Sequence, residues 1–279
     1  MAIALTIAGS DPSGGAGIQA DLKTFAAHEV YGASAITAVT VQSTRGVESV
    51  MPLEADMVTA QIEAVAADLA IDATKIGMLA NAAIVEAVAA AIKALELPLV
   101  VVDPVLVSSN GALLLDDDGI RLLCSELLRL ARVVTPNIPE AERLSGRRIT
   151  SIAGAREAAK RLHDMGAASV IVTGGHAGWE SAEVVDVLYD GHAFHELRAP
   201  RVAGREVHGT GCTFASAVAA GLAKGIALPE AATRAQQYVA GAIAHAPEIG
   251  HGKAPLNHFW NRPVVRAGAN PRSPRDPVY

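Results

Sequence analysis

The sequence lacks the features that mark several classes of protein. It has only two cysteines among 279 residues, Cys124 and Cys212, so neither a disulfide framework nor a cysteine-based zinc pattern is expected. It contains no run of basic residues and its formal net charge is −6, which argues against a nucleic-acid partner. No uninterrupted apolar stretch of about 20 residues occurs, so no membrane span is expected. The first residues carry no basic stretch typical of a secretory signal, and we expect a cytoplasmic protein.

Aromatic residues are also scarce, at 4%, although 51% of the chain is hydrophobic. The apolar residues are therefore mostly small or aliphatic. Such a composition suits helices packed on a buried parallel sheet and argues against disorder for most of the chain. The length fits a single large α/β domain.

Short apolar runs alternate with helical patterns along the chain. Strands are predicted at 2–9, within 32–43, and at 73–79, 98–105, 131–137 and 168–175. Helices are predicted at 17–28, 54–68, 82–95, 211–224 and 229–245. The segment 182–197 predicts a hairpin that turns at Asp190-Gly191.

Repeated strand–helix units predict a mainly parallel sheet with helices on both faces. In such folds ligands bind beyond the carboxyl ends of the strands. Polar, glycine- or proline-containing segments follow several predicted strands: "GSDPSGGAG", "DPV", "TPN" and "TGGH". Their convergence predicts an active site at that edge. The segment 261–279 has four prolines and four arginines and is interpreted as a flexible tail.

The stretch "HGTGCTFASAVAAGLAKG" (208–225) begins with a glycine turn before a helix. Gly209 and Gly211 allow a sharp turn, and the helix start leaves N–H groups that can bind a phosphoryl group. A helix N-terminus also lowers a thiol pKa, so Cys212 is a candidate thiolate that accepts a proton from a hydroxyl. The alternative is a structural turn beside an inert, buried cysteine, and spacing alone does not decide between them.

Other polar positions carry weaker signals. The loop 9–21 is rich in glycine but lacks both the P-loop and the dinucleotide fingerprints, so it is either a plain turn or a close approach to a small substrate. Asp103 ends a buried strand, and Glu142 could share magnesium with it, although for Glu142 taken alone an exposed helical charge is the better explanation. The histidines show no zinc spacing, and only His208, beside the glycine turn, stands out.

Eight segments in order resemble one family: "IAGSDPSGGAGIQADLKTF", "VTVQSTRGV", "IGML", "VVDPV", "TPNIPEAERL", "GGH", "HGTGCTFASAVAAGLAKG" and "GHGKAPLNHF". They look like the bacterial hydroxymethylpyrimidine/phosphomethylpyrimidine kinases of the ribokinase-like superfamily, over about residues 3 to 259. The resemblance implies a three-layer α/β/α sandwich with a mainly parallel central sheet. It also implies one kinase domain over 1–260 with a small strand lid at about 41–52.

The activity implied by this resemblance belongs to thiamine biosynthesis. The enzyme would use ATP and Mg2+ to phosphorylate 4-amino-5-hydroxymethyl-2-methylpyrimidine, and would then phosphorylate the monophosphate to the diphosphate. The resemblance further implies a homodimer. No nucleic acid or membrane is expected as a partner.

The resemblance also implies roles for individual residues. Cys212 stands where many related sugar kinases have an aspartate base. The other implied roles are phosphoryl binding by Gly209, Thr210 and Gly211; magnesium binding by Asp103 and Glu142; nucleotide binding by Asn137, Thr173 and His208; and pyrimidine binding by Gly9, Asp21, Gln42, Met78 and Val105.

One departure from the family pattern concerns Thr173. Family members often have K-G-G-H where this chain has "TGGH", so Thr173 replaces a lysine that is a plausible phosphate ligand in the second transfer. Arg45 is one candidate to compensate.

Two other interpretations compete with this one. A pyridoxal/pyridoxine kinase of the same superfamily would act on a similar heterocyclic alcohol. A non-catalytic ligand-binding regulator on the same fold would have lost catalytic features, yet the glycine turn, Cys212 and Asp103 are all present.

Overall fold

The structure is a computed structural model that describes residues 1–108, 111–176, 182–202 and 207–262. The predicted tail lies outside the described residues from position 263 onward. Within these ranges no helix is both long and apolar enough to cross a membrane.

The chain alternates strands and helices. The strands are β1 Ile3–Ser10, β2 Tyr31–Ser43, β3 Gly46–Pro52, β4 Ala73–Ile76, β5 Val100–Val102, β6 Val133–Val134, β7 Val170–Val172, β8 Glu183–Tyr189, β9 Phe194–Pro200, β10 Val207–His208 and β11 Ala254–Pro255. The helices are α1 Gly17–Ala27, α2 Ala55–Asp68, α3 Ala82–Ala94, α4 Asp117–Leu122, α5 Ile138–Ser145, α6 Ile152–Asp164, α7 Thr210–Ala223 and α8 Leu228–Ala244. A π-helical turn, Leu123–Leu127, and a 3-10 turn, Leu128–Leu130, continue α4, and a second 3-10 turn, Gly174–His176, follows β7.

Nine strands form one sheet in the order β3-β2-β1-β4-β5-β6-β7-β8-β9. The central pairs from β2 to β7 are parallel. The outer strands β3, β8 and β9 run antiparallel to their neighbours. The mainly parallel sheet predicted from the alternating pattern is confirmed.

Each face of the sheet is covered by its own helices and its own apolar core. Successive strand residues point to opposite faces, so Ala4 and Val101 pack with α1, α7 and α8. Their neighbours Leu5 and Val102 pack on the other face with α2, α3, α5 and α6. The fold is therefore a three-layer α/β/α sandwich, as expected.

The central strands are shorter than predicted. Strand β4 covers Ala73–Ile76 rather than 73–79, and β5 covers Val100–Val102 rather than 98–105. The residues that follow leave the ladder, and Met78, Asp103 and Val105 line a cavity instead. The hairpin predicted over 182–197 is present as β8 and β9. Helices α4, α5 and α6 lie where the sequence patterns assign none.

A hairpin of β2 and β3 extends beyond the rest of the sheet. The pairing of β2 with β1 ends at Val39 opposite Ser10, while β2 continues to Ser43 and pairs with β3 through Gln42 and Val47. The overhanging part coincides with the predicted lid at about 41–52. It stands at the same edge of the sheet as the polar loops.

Candidate active site

A cavity of about 970 Å³ lies at the carboxyl ends of the central strands. The four polar segments that follow predicted strands all contribute residues to its wall, among them Ser10, Asp103, Asn137 and Thr173. Residues of the β2–β3 hairpin and of α8 complete the wall. The structure thus brings together the segments that the sequence singled out.

The glycine turn that begins α7 forms one side of this cavity. Gly209 adopts a left-handed conformation with φ +87°, and a Cβ there would overlap the carbonyl oxygen of Gly15. No side chain caps α7, and its first turn has no acidic residue. The first N–H groups of the helix therefore have no side-chain cap, and Gly209, Thr210 and Gly211 line the cavity, which suits a phosphoryl group.

The glycine-rich loop after β1 is shaped by Asp11. Its carboxylate accepts hydrogen bonds from the backbone N–H groups of Ser13, Gly15 and Ala16 at 2.8, 3.1 and 2.8 Å. His208 packs beside this loop, with Nε2 3.3 Å from Asp11 Oδ2. The loop and the glycine turn are therefore in direct contact, and His208 faces the loop. Its proposed role in nucleotide binding stays a prediction.

Lys75 lies completely buried under the cavity. Its Nζ lies 2.9 Å from Asp21 Oδ2, and neither side chain has solvent exposure. The Asp21 carboxylate also accepts hydrogen bonds from Thr6 Oγ1 at 2.6 Å and Ser216 Oγ at 2.7 Å. Asp21 does not line the cavity, so the prediction that it contacts the pyrimidine is wrong: its oxygens hold β1, β4 and α7 together from beneath.

Cys212 lines the cavity at the first turn of α7, but the expected thiolate is not supported. Burial raises the pKa of its thiol to about 12, and nearby Asp103 and Asp21 contribute, whereas Lys75 and a backbone hydrogen bond from Gly17 lower it by less. Desolvation of the buried thiol is therefore the largest influence on its pKa, and Asp103 is a neighbouring carboxylate.

Two buried carboxylates lie close to each other beside the glycine turn. Burial raises the pKa of Asp103 to about 6 and that of Glu140 to about 8, and the charge of Asp103 contributes to the rise at Glu140. Asp103 Oδ2 is buried without a hydrogen-bond partner. Both residues line the cavity. A cation between them would relieve their mutual repulsion.

Glu142 is not the second carboxylate of this pair, contrary to the sequence prediction. It lies on the far side of α5, where Oε1 accepts a hydrogen bond from the backbone N–H of Ile149 at 2.6 Å, and it does not line the cavity. The cavity is reached by Glu140, the third residue of α5, which forms a capping box with Asn137. The spacing N-x-x-E at a helix start was the signal that could have identified it.

The remaining predicted residues do line the cavity. Gly9, Met78 and Val105 line it together with Gln42 of the β2–β3 hairpin, and Asn137 and Thr173 line it as well. Met78 packs tightly on Gly9, because a Cβ at Gly9 would lie 3.0 Å from the Met78 sulfur.

One end of the cavity is formed by α8 and combines apolar residues with a buried polar pair. Val239, Ala240 and Ile243 of α8 line this end. Gln236 and Asp186 also line the cavity, and Gln236 Nε2 donates to Asp186 Oδ2 at 2.9 Å. Sequence reasoning missed both this end and Lys75, because each side chain looks like an ordinary element residue when read alone.

A mainly parallel sheet with an overhanging hairpin, a glycine turn and paired carboxylates around one cavity is the arrangement expected of a small-molecule kinase. The profile of the phosphomethylpyrimidine kinase family matches residues 11–257. The chain belongs to this family, and it is a phosphotransferase.

Relatives of known name agree with this assignment. The chain is 46% identical over 256 residues to the hydroxymethylpyrimidine/phosphomethylpyrimidine kinase of Bacillus subtilis, covering 92% of this chain and 94% of that protein. It is 48% identical over 262 residues to the thiamine biosynthesis bifunctional protein ThiED of Geobacter sulfurreducens, covering 94% of this chain and 53% of that protein. The chain therefore spans only about half of that bifunctional relative.

Solved structures of similar kinases share the fold. Pyridoxal kinase from Bacillus subtilis, in complex with ADP, superposes with a TM-score of 0.86 at 38% identity, covering 94% of this chain and 99% of that one. Phosphomethylpyrimidine kinase from Clostridium difficile superposes with a TM-score of 0.76 at 38% identity, covering 86% and 98%. The expected ribokinase-like fold is confirmed.

The buried pair makes a prediction about stability. Asp21→Asn leaves Lys75 charged and buried without its partner, and should lower the free energy of unfolding by about 3–5 kcal/mol. The double variant Asp21→Asn/Lys75→Met should recover most of that loss, because it removes the buried charge. Urea unfolding measures both changes.

The exposed ion pair between Glu230 and Arg234 provides the matched control. Glu230→Gln should change stability by less than about 1 kcal/mol. If Asp21→Asn unfolded at the wild-type urea concentration, the assigned role of the pair beneath the cavity would be wrong.

Proposed function

We propose that this chain transfers the γ-phosphoryl group of ATP to the hydroxymethyl group of 4-amino-5-hydroxymethyl-2-methylpyrimidine. In a second step it phosphorylates the resulting monophosphate to the diphosphate. The observation that carries this proposal is the position of the glycine turn. It lies between a pocket under the β2–β3 hairpin and an apolar slot along α8, all in one cavity. Phosphoryl transfer needs an acceptor and a donor aligned on either side of one anion site.

The pocket under the hairpin suits a small heterocycle. Met78 and Val105 provide apolar contact for the faces of a ring, and the Gln42 amide can pair with the polar edge of an aminopyrimidine. Gly9 leaves room for close approach, since a side chain there would press on Met78. These four residues are proposed to bind the acceptor.

The opposite half of the cavity suits ATP. Val239, Ala240 and Ile243 provide an apolar slot for the adenine ring. Asn137 and Thr173, joined by a β-bridge, stand between this slot and the glycine turn, where they can contact the phosphate chain. Gly209, Thr210 and Gly211 are proposed to hold the phosphoryl group under transfer through backbone N–H groups.

The residues present fit a magnesium ion. Mg2+ prefers one or two carboxylates and completes its shell with waters and substrate phosphates. Asp103, with its unpartnered buried Oδ2, and Glu140 offer such a pair. They are proposed to hold Mg2+, directly or through water. When bound, the ion would neutralise charge on the phosphates.

Cys212 is proposed to act as a proton relay rather than as a thiolate. The thiol, whose pKa burial raises to about 12, lies next to Asp103. It can accept the proton of the substrate hydroxyl as its own proton passes to the Asp103 carboxylate. Because the transition state of phosphoryl transfer is loose, a weak proton acceptor suffices.

The domain and assembly proposals concern the extent of the kinase domain and the surface of the β2–β3 hairpin. We propose one kinase domain over 1–260, with a lid at about 41–52 that closes over the substrate and excludes water. Strand β3 forms one edge of the sheet, and Val41 and Met51 on this hairpin are exposed. This surface supports a homodimer.

A cytoplasmic location without a nucleic-acid or membrane partner agrees with the acidic charge and the absence of basic runs.

A pyridoxal kinase is the second candidate, because the pyridoxal kinases superpose well on this chain.

The test is a coupled assay with Mg–ATP that offers the aminopyrimidine alcohol, its monophosphate and pyridoxal separately, with products resolved by mass. We expect diphosphate from the first two substrates and much slower turnover of pyridoxal. Turnover of pyridoxal alone would overturn the substrate assignment, and no turnover would favour a non-catalytic regulator.

Cys212 variants test the proton relay. Cys212→Ala should lower kcat by roughly 100-fold or more, because the hydroxyl loses its proton acceptor. Cys212→Ser should keep part of the activity, since a hydroxyl can both accept and donate. Steady-state kinetics should show a near-normal KM for ATP in both. An unchanged kcat in Cys212→Ala would contradict the role.

Carboxylate variants test the corrected magnesium site. Glu140→Gln should raise the Mg2+ concentration needed for half-maximal rate, by roughly tenfold or more, because a charged ligand is lost. Glu142→Gln is the matched control on the same helix and should leave this requirement near that of the wild type. Titrating Mg2+ at fixed ATP measures both. The reverse ranking would restore Glu142 as the ligand.

A further inference from the structure

The segment 250–255, here called the strap, holds the turn of the β2–β3 hairpin. The backbone N–H groups of His251 and Gly252 each donate to Thr44 Oγ1 at 3.2 Å, and that of Lys253 donates to the Thr44 carbonyl at 2.9 Å. A Cβ at Gly252 would overlap this carbonyl oxygen. The strap is therefore fitted closely to the acceptor side of the cavity.

The other end of the strap reaches the glycine turn. Strand β11 pairs in parallel with β10, placing Ala254 beside Val207 and Pro255 beside His208. His208 directly precedes Gly209. The strap thus runs from the lid turn to the strand that leads into the phosphoryl site, and Lys253 lies between these two anchor points.

Lys253 is half-buried and contributes to the cavity wall. Its backbone hydrogen bond to Thr44 fixes it on the acceptor side, close to the hairpin residues Thr44 and Gly46 that line the same wall. Lys253 therefore contributes a positively charged side chain to the part of the cavity wall beside the hairpin.

The second phosphorylation creates a need for such a charge. An acceptor that already carries a phosphate must approach the phosphate chain of ATP, so two anionic groups meet beside one glycine turn. Repulsion between like charges opposes this approach unless a cation on the acceptor side offsets it. Backbone N–H groups and a metal ion on the donor side serve the transferring group instead.

The other cations of the described cavity wall occupy different places. Lys75 is enclosed beneath the floor beside Asp21. Arg143 is on α5 and pairs with Asp117 at 2.6 Å, and Arg201 donates to the Gly175 carbonyl at 3.1 Å. Both lie toward the donor half. Arg45, suggested from the sequence as a compensating cation, is exposed and does not line the cavity.

We propose that Lys253 binds the phosphate of the monophosphate acceptor in the second transfer. This rests on the proposed two-step function. Lys253 then determines specificity for the second acceptor. The first acceptor is an uncharged alcohol and has no phosphate for Lys253 to bind. Thr173, on the donor wall, contributes no charge to this task.

The test compares Lys253→Ala, Lys253→Arg and the control Arg45→Ala, which removes a nearby cation outside the cavity. For each, kcat/KM is measured with the alcohol and with the monophosphate. The ratio of the monophosphate value to the alcohol value should fall roughly tenfold to a hundredfold in Lys253→Ala, because a charge-assisted hydrogen bond is lost. Lys253→Arg should restore part of the ratio, and Arg45→Ala should leave it at the wild-type value.

Two outcomes would overturn the proposal. Equal losses with both acceptors would show that Lys253 only supports the strap, and a raised KM for ATP with an unchanged ratio would place it on the nucleotide. Calorimetry measures monophosphate binding in the presence of magnesium and a non-hydrolysable ATP analogue, and so tests the contact without turnover. If wild type does not form the diphosphate, the second step fails as a function. Weaker monophosphate binding by Lys253→Ala would then still support the contact, and equal binding would refute it.

Discussion

The site depends on one buried cation among several acidic groups. Among the residues that the structure describes, Lys75 is the only lysine or arginine that is fully buried. It lies against Asp21 and near Asp103 and Cys212. Three strand and helix elements meet at this point through the carboxylate of Asp21. Burial, and to a smaller extent a neighbouring carboxylate, raises the pKa values of Asp103 and Glu140. A surplus of buried negative charge is costly without a counter-ion, and this is the environment in which a magnesium ion stabilises a site.

The same buried carboxylates explain why the helix start at Cys212 wrongly predicts a lowered thiol pKa. A cysteine at a helix N-terminus usually has a lowered pKa. Here burial and two neighbouring carboxylates raise it to about 12 in spite of the helix and Lys75. The sequence shows the helix start but not the carboxylates, because Asp21 and Asp103 lie far away along the chain. The pKa of this thiol is thus decided by tertiary contacts rather than by the helix start alone.

The fold was largely predictable and the site only partly so. Apolar runs such as "PLVVVDPV" predicted the central strands and the edge where ligands bind, since periodicity and alternation are local properties. Their ends were overestimated, because Met78 and Asp103 continue the apolar or extended pattern while leaving the ladder. Glu140 was missed in favour of Glu142, although the two differ by two residues and so point to different sides of a helix. The buried pair of Lys75 with Asp21 was not predicted, because Lys75 stands within an apolar run and no local sequence pattern indicates a buried ion pair.

No local sequence pattern predicts the contacts between distant segments. These contacts bring the loops together into one site. Thr44 and the strap are 207 and 208 residues apart at their hydrogen bonds, and Gly15 packs on Gly209 so closely that neither loop can shift alone. The loop after β1 and the glycine turn therefore hold each other in place, and the strap holds the turn of the β2–β3 hairpin. The hydrogen bonds of Thr44 with the strap and the pairing of β11 with β10 connect the turn of the hairpin to the strand that precedes the glycine turn. Under the proposed function, an acceptor bound beneath the hairpin and a phosphoryl group at the glycine turn would therefore contact segments that are joined to each other.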